Sequence, residues 1–225
     1  MQKLTREEYN SDAVMRMVHS VTFLKNLANQ DQAQFELLLS VSRFMKFEQG
    51  EVLMNKGESA DSLYFLLKGQ VSVFTSSDDQ ASCVLNPGEV VGTMSMVTGG
   101  NRSATVKAHS DVVLLSLEYA HCNDINDYGL FNLHTKLMAY RMVIHHIRWT
   151  LELNKMKYPN HELAPRIFKM PIYSGDKDTQ EELLALHEQA RLLAELLREW
   201  NDSLVESMTT NSESHGLMAS GLTAS

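Results

Sequence analysis

The sequence predicts an α+β chain: N-terminal helices, an antiparallel β-roll, a long helix, and a C-terminal helix that forms a bundle. Three observations predict it. Up to about Phe44 apolar residues recur at helical spacing, as in Phe23, Leu24, Leu27, Phe35, Leu38 and Leu39. From Met45 to about Leu117 the pattern changes to short alternating runs, EVLMN, SLYFLL, VSVFT, SCVL, TVKA and VVLLSL. Gly50, Gly57, Gly69, Ser76 to Asp79 and Pro87-Gly88 divide them. Beyond the roll, two apolar seams repeat at helical spacing.

Taken in order, residues 1–22 read as a helical extension, and residues 23–126 as the roll with the helices that lean on it. Within those helices Asn29 to Asp31 supplies a break and a cap. Many short strands divided by turns make a compact roll. Residues 127–156 read as one long helix. Its seam, Leu130, Leu133, Leu137, Tyr140, Ile144, Ile147 and Leu151, is spaced alternately three and four apart and predicts pairing with a second copy, a homodimer, the alternative being packing within its own chain. Residues 157–177 contain Pro159, Pro165 and Pro171, which remove backbone donors and disfavour helix, so they read as a linker or a packed irregular arm. The C-terminal helix, 178–206, starts at a cap on Asp178 or Thr179, with Glu181 and Glu182 in the first turn, where the helix dipole favours acids. Leu183, Leu186, Ala190, Leu193, Leu197, Trp200 and Leu204, flanked by Ala194 and Leu196, form a stripe too wide for a two-stranded seam and suited to a bundle or to docking onto the first long helix. Residues 207–225 are rich in Ser and Thr and predict a mobile tail.

At 225 residues and 44% apolar composition the chain can bury a core without staples. Its formal charge of −8 argues against wrapping nucleic acid by phosphate neutralisation, and the acidic C-terminal helix is a poor recognition helix, so DNA is not an expected partner. The first twenty residues hold acids where a signal peptide needs an apolar core, and no run reaches the ~18 apolar residues of a membrane span. A cytoplasmic location is expected. Cys83 and Cys122 lie far apart without paired spacing, which suggests neither a disulfide framework nor a zinc knuckle. No nucleophile–base grouping appears, so no catalytic residue is assigned and a non-enzymatic role is expected.

The stretch GEVVGTMSMVTGGNRSATVKA, 88–108, has the parts of an anion cradle. Gly88 and Gly92 permit turns and close backbone approach, and Met94 to Val97 can make a short helical turn with free amides. Arg102 then supplies a charged fork of donors, with Ser103 beside it. Together with FLKNL and FEQGEVLMNKGESADSLYFLLKGQVSVF, this stretch resembles successive signatures of the cyclic nucleotide-binding domain family, over about Phe23 to Leu151. The resemblance implies a β-roll followed by a long helix, with Gly92, Met94, Arg102 and Ser103 holding a cyclic phosphate. It also implies an acid after the cassette glycine, on the ribose hydroxyl, where this chain has Thr93. A residue of the long helix, within Ile144, His145 and His146, is implied to reach the base. Adjacent helix residues point about 100° apart, so His145 and His146 do not form a metal-chelating pair, and no metal or cofactor is expected.

The resulting expectation is a dimeric receptor for cyclic AMP or cyclic GMP that regulates an unidentified protein partner, with binding weakened or retuned by Thr93. The alternatives are a pseudo-receptor that binds no nucleotide and acts as an interaction scaffold and, further off, a transcription regulator.

Overall fold

The computed structural model describes residues 2–3, 11–75, 81–122 and 124–219, with side chains up to 205 and none at 2–3. Three helices, α1 (Asp12–Val18), α2 (Thr22–Gln30) and α3 (Gln32–Val41), precede the roll. Ser11 caps α1 by accepting from the Val14 amide, and Asp31 both ends α2 and caps α3, accepting from the Gln34 amide.

The roll is built from β1 (Gln2–Lys3), β2 (Arg43–Phe47), β3 (Val52–Met54), β4 (Ser62–Lys68), β5 (Val71–Phe74), β6 (Cys83–Leu85), β7 (Val90–Val91), β8 (Thr105–Ala108) and β9 (Val112–Glu118). One sheet runs β1-β2-β9-β4-β7, the other β3-β8-β5-β6, with every pairing antiparallel. β9 is buried on both faces, which is why VVLLSL is an almost unbroken apolar run. Leu114 faces the interior of the roll with Met45, Leu66, Val71 and Val106, whereas Leu115 and Leu117 face the helices. Gly69 makes the β4–β5 turn at φ +79°, and a Cβ there would sit 2.1 Å from the Asp111 carbonyl oxygen.

Helix α4 (Thr93–Thr98) interrupts the roll. The long helix, α5 (Leu133–Lys157), starts at Asn132, whose side chain accepts from the Thr135 amide. It therefore begins six residues later than the expected 127, and Leu130 lies in the loop before it. That loop is held by the buried Lys136, whose ammonium donates to the carbonyls of Asp124 and Asp127. Within the expected linker, Ala164–Lys169 form a 3-10 turn. Helix α6 (Gln180–Ala219) is capped by Thr179, which accepts from the Glu182 amide.

Three expectations are corrected. The N-terminal extension is not wholly helical, because Gln2–Lys3 pair with Lys46 and Met45 as an edge strand; residues 1 and 4–10 lie outside the described residues. The C-terminal helix passes 206 and its backbone continues to Ala219, since extending a formed helix adds a hydrogen bond per residue without a new nucleus. Residues 220–225 of the expected tail, like the Ser76–Asp79 turn, lie outside the described residues. Finally, the two helical seams pair with each other inside one chain. Leu137, Tyr140, Ile144, Ile147 and Leu151 share one apolar cluster with Leu183, Leu193, Leu197 and Trp200, all buried, so these residues are not free for a second copy. The breadth of the α6 stripe is what allows α6 to pack on both α5 and α4.

Arg141 fastens the two helices, donating to Glu182 at 2.7 Å and Asp178 at 3.2 Å. Replacing Leu151, fully buried, with alanine should cost roughly 2–5 kcal/mol. If the seam is intrachain, its melting midpoint will not depend on protein concentration; a midpoint that rises with concentration would mark an interchain seam.

Candidate functional site

A cavity of about 380 Å³ lies between the roll, α4, α5 and α6. This falls within the ~300–1,000 Å³ common for small-molecule sites. The roll supplies apolar walls such as Val73, Val91 and Val106; α4 and its flanks supply Gly92, Thr93, Met94, Ser95, Arg102 and Ser103. Helix α5 adds His146, Trp149, Thr150 and Leu153, and α6 adds Leu197, Asn201 and Leu204. Trp149 and Leu153 are 50% and 43% exposed and stand at the solvent side.

The phosphate candidates come together as expected. Gly92 precedes α4 at φ +97°, a conformation that favours glycine, and Gly99 closes the helix in the left-handed region. The backbone of Arg102 is pinned to the turn before β4, its amide donating to the Glu58 carbonyl and its carbonyl accepting from the Gly57 amide. Its side chain is buried. Nη1 donates to Tyr119 Oη at 2.9 Å, and Tyr119 in turn donates to the Gly92 carbonyl at 2.7 Å. The guanidinium also lies over the rings of Tyr64 and Tyr119. The nearest acid is Asp61, 3.7 Å from Nη2, with an 81% exposed side chain that water screens. The Ser103 hydroxyl points to the Met94 sulfur, a weak acceptor.

Burial pushes the Tyr119 phenol up to about 12, with the Arg102 cation acting against that rise, so the ring stays a neutral donor. Arg102 is thus a buried cation whose direct hydrogen-bond partner is neutral.

Of the three base candidates, the structure brings one to the cavity. His146 lines it, and Nδ1 lies 3.1 Å from Thr93 Oγ1. Ile144 is turned into the α5–α6 core and His145 is exposed, as their 100° steps around the helix require. Sequence reasoning missed Tyr119, Tyr64, Asp61 and the α6 wall, because these residues arrive from distant segments with no local spacing to connect them. Among the described residues no group of three or more His, Cys, Asp or Glu could hold a metal, and no helix is long and apolar enough to cross a membrane.

Residues 44–126 match the family model of the cyclic nucleotide-binding domain. The type II regulatory subunit of cAMP-dependent protein kinase of Drosophila melanogaster is 33% identical over 103 residues, covering 44% of this chain and 26% of that protein. A cyclic AMP receptor protein of Thermus thermophilus is 31% identical over 87 residues, covering 37% of this chain and 40% of that protein. The solved N-terminal domain of a transcriptional regulator from Streptomyces coelicolor superposes with TM-score 0.45 at 25% identity, over 56% of this chain and 88% of that one. The match to the cyclic nucleotide-binding domain thus lies on the roll and the short segment after it, and not on the flanking helices. The match spans about a quarter of the Drosophila regulatory subunit and less than half of the Thermus protein.

Burial, with His145 adding to it, lowers the His146 imidazole from 6.5 to about 4. A histidine pKa lowered by folding means that the unfolded chain binds the extra proton between those values. Stability is then fully present above about 6.5 and falls as pH drops towards 4, by up to about 3 kcal/mol. His187, also lowered by burial, contributes with the same sign. Denaturant titrations from pH 7 to 4.5 should therefore show a shallower loss for His146→Gln than for the unaltered chain; parallel curves would refute it.

Proposed function

We propose that this chain is a non-enzymatic receptor module in which a cyclic nucleotide, cyclic AMP or cyclic GMP, enters the cavity and changes the packing of α5 and α6, and so regulates a protein partner. The observation that carries this reading is Arg102, a buried cation at the cavity wall held by a neutral phenol. An anion there would supply a closer charge partner than the exposed Asp61 carboxylate at 3.7 Å, and a charge-assisted contact of this kind contributes about 1.5–3 kcal/mol. The family model that the roll matches and the names of the relatives support a cyclic nucleotide as that anion.

The second reading, a pseudo-receptor acting as a scaffold, is favoured by one observation: Thr93 Oγ1 is already bonded to His146 Nδ1 across the cavity. The position of α6 supports a regulatory role under the first reading. Leu197, Asn201 and Leu204 wall the cavity, and Arg198 donates to Thr98 Oγ1 at 2.6 Å, joining α6 to α4. A ligand that binds more tightly with α6 in one position than another shifts the population accordingly.

Calorimetric titration with cyclic AMP and cyclic GMP tests the two readings. The receptor reading expects saturable binding weakened about tenfold or more by Arg102→Ala. Absence of heat with either nucleotide, from folded protein, would favour the scaffold.

A further inference from the structure

Thr93 and His146 face the cavity from different elements. Thr93 is the first residue of α4 and is buried; His146 lies in the middle of α5, the one of three consecutive residues turned towards the cavity. Their hydrogen bond uses Nδ1 of the imidazole. Among the described residues Nε2 has no hydrogen-bond partner, although the ring lines the cavity. The anion anchor is close by. A Cβ on Gly92 would stand 2.8 Å from Arg102 Nη1, so the anchor lies beside the residue that precedes Thr93, and Arg102, Thr93 and His146 line one cavity.

We propose that His146 is the specificity-determining residue of this pocket, reading with Thr93 a neutral hydroxyl that lies beside the ligand's anionic group. This rests on the cavity holding a cyclic nucleotide, whose sugar then supplies that hydroxyl. A neutral imidazole has one donor nitrogen and one acceptor nitrogen, and the bond made by one fixes the role of the other. When Thr93 donates to Nδ1, Nε2 carries the proton and donates to the ligand; when Thr93 accepts, Nε2 is the acceptor. A hydroxyl matches both states because it donates and accepts. The pair also adds no negative charge near the bound anion. Glu89 is the one acid lining the cavity among the described residues, and its carboxylate is engaged by the Asn86 amide. Burial keeps His146 neutral at pH 7, as the pair requires.

The test is titration of the full chain with cyclic AMP and with 2′-deoxy cyclic AMP, using the unaltered protein, His146→Ala, His146→Gln and Arg102→Ala. The unaltered protein should prefer the hydroxyl-bearing ligand by about tenfold. His146→Ala should reduce that preference to about twofold or less while leaving affinity for the deoxy ligand within about threefold, and His146→Gln should restore part of the preference. A merely structural role for His146 would weaken both ligands alike and leave the ratio unchanged. Binding that depends on Arg102 with no preference in the unaltered protein, or a preference that survives His146→Ala, overturns the proposal and leaves the receptor reading standing. Absence of binding by either ligand to folded protein overturns both.

Discussion

A positive charge held out of water is the constraint around which the site is arranged. Arg102 can remain buried because Tyr119 accepts from it while donating to the Gly92 carbonyl, a chain of two hydrogen bonds that fixes the side chain and the entry to α4 together. Each partner has its own support. Tyr119 follows β9, the most deeply buried strand, and its amide donates to the Asp61 carbonyl beside β4. Gly92 has the left-handed backbone that brings its carbonyl under the phenol, and a side chain at 92 would meet both Arg102 and Tyr119. The cassette is therefore positioned by the sheet, not by its own short helix.

The helical half of the molecule solves a different problem. A seam like that of α5 must be covered by something, and here α6 covers it while its wide stripe also reaches α4 and the cavity. The fully buried Trp200 lies at this junction, its ring stacked 4.2 Å from His161 of the connecting segment. The connection thus packs as part of the core through Leu163, Ala164 and Ile167, although its prolines prevent continuous helix.

Much of the architecture was legible because strands and helices here have clean periods. EVLMN, SLYFLL, VSVFT, SCVL, TVKA and VVLLSL each contain a strand of the roll, and the glycines between them take the left-handed backbone at 50, 57 and 69. β2 and β7 were less visible: Arg43–Phe47 follows a helix without a turn residue, and Val90–Val91 is too short to alternate. That Gly92, Thr93, Met94, Arg102 and Ser103 gather at one place was also legible, since they lie close in sequence. The histidine facing Thr93 was not, because it depends on the rotational phase of a helix whose start is set by the Asn132 cap and the Lys136-bound loop. Nor could apolar spacing alone decide whether the α5 seam meets another chain or α6, since both satisfy the same periodicity.

The hydrogen bond from Arg198 to Thr98 holds the last helix against α4, and residues 158–179 join that helix covalently to α5. The effective concentration of that helix at the cavity is a property of the chain and does not change with how much protein a cell makes. Opening and closing of the cavity by α6 would then be a first-order process. Its set point would be written in the α5–α6 interface, and dilution could not reset it.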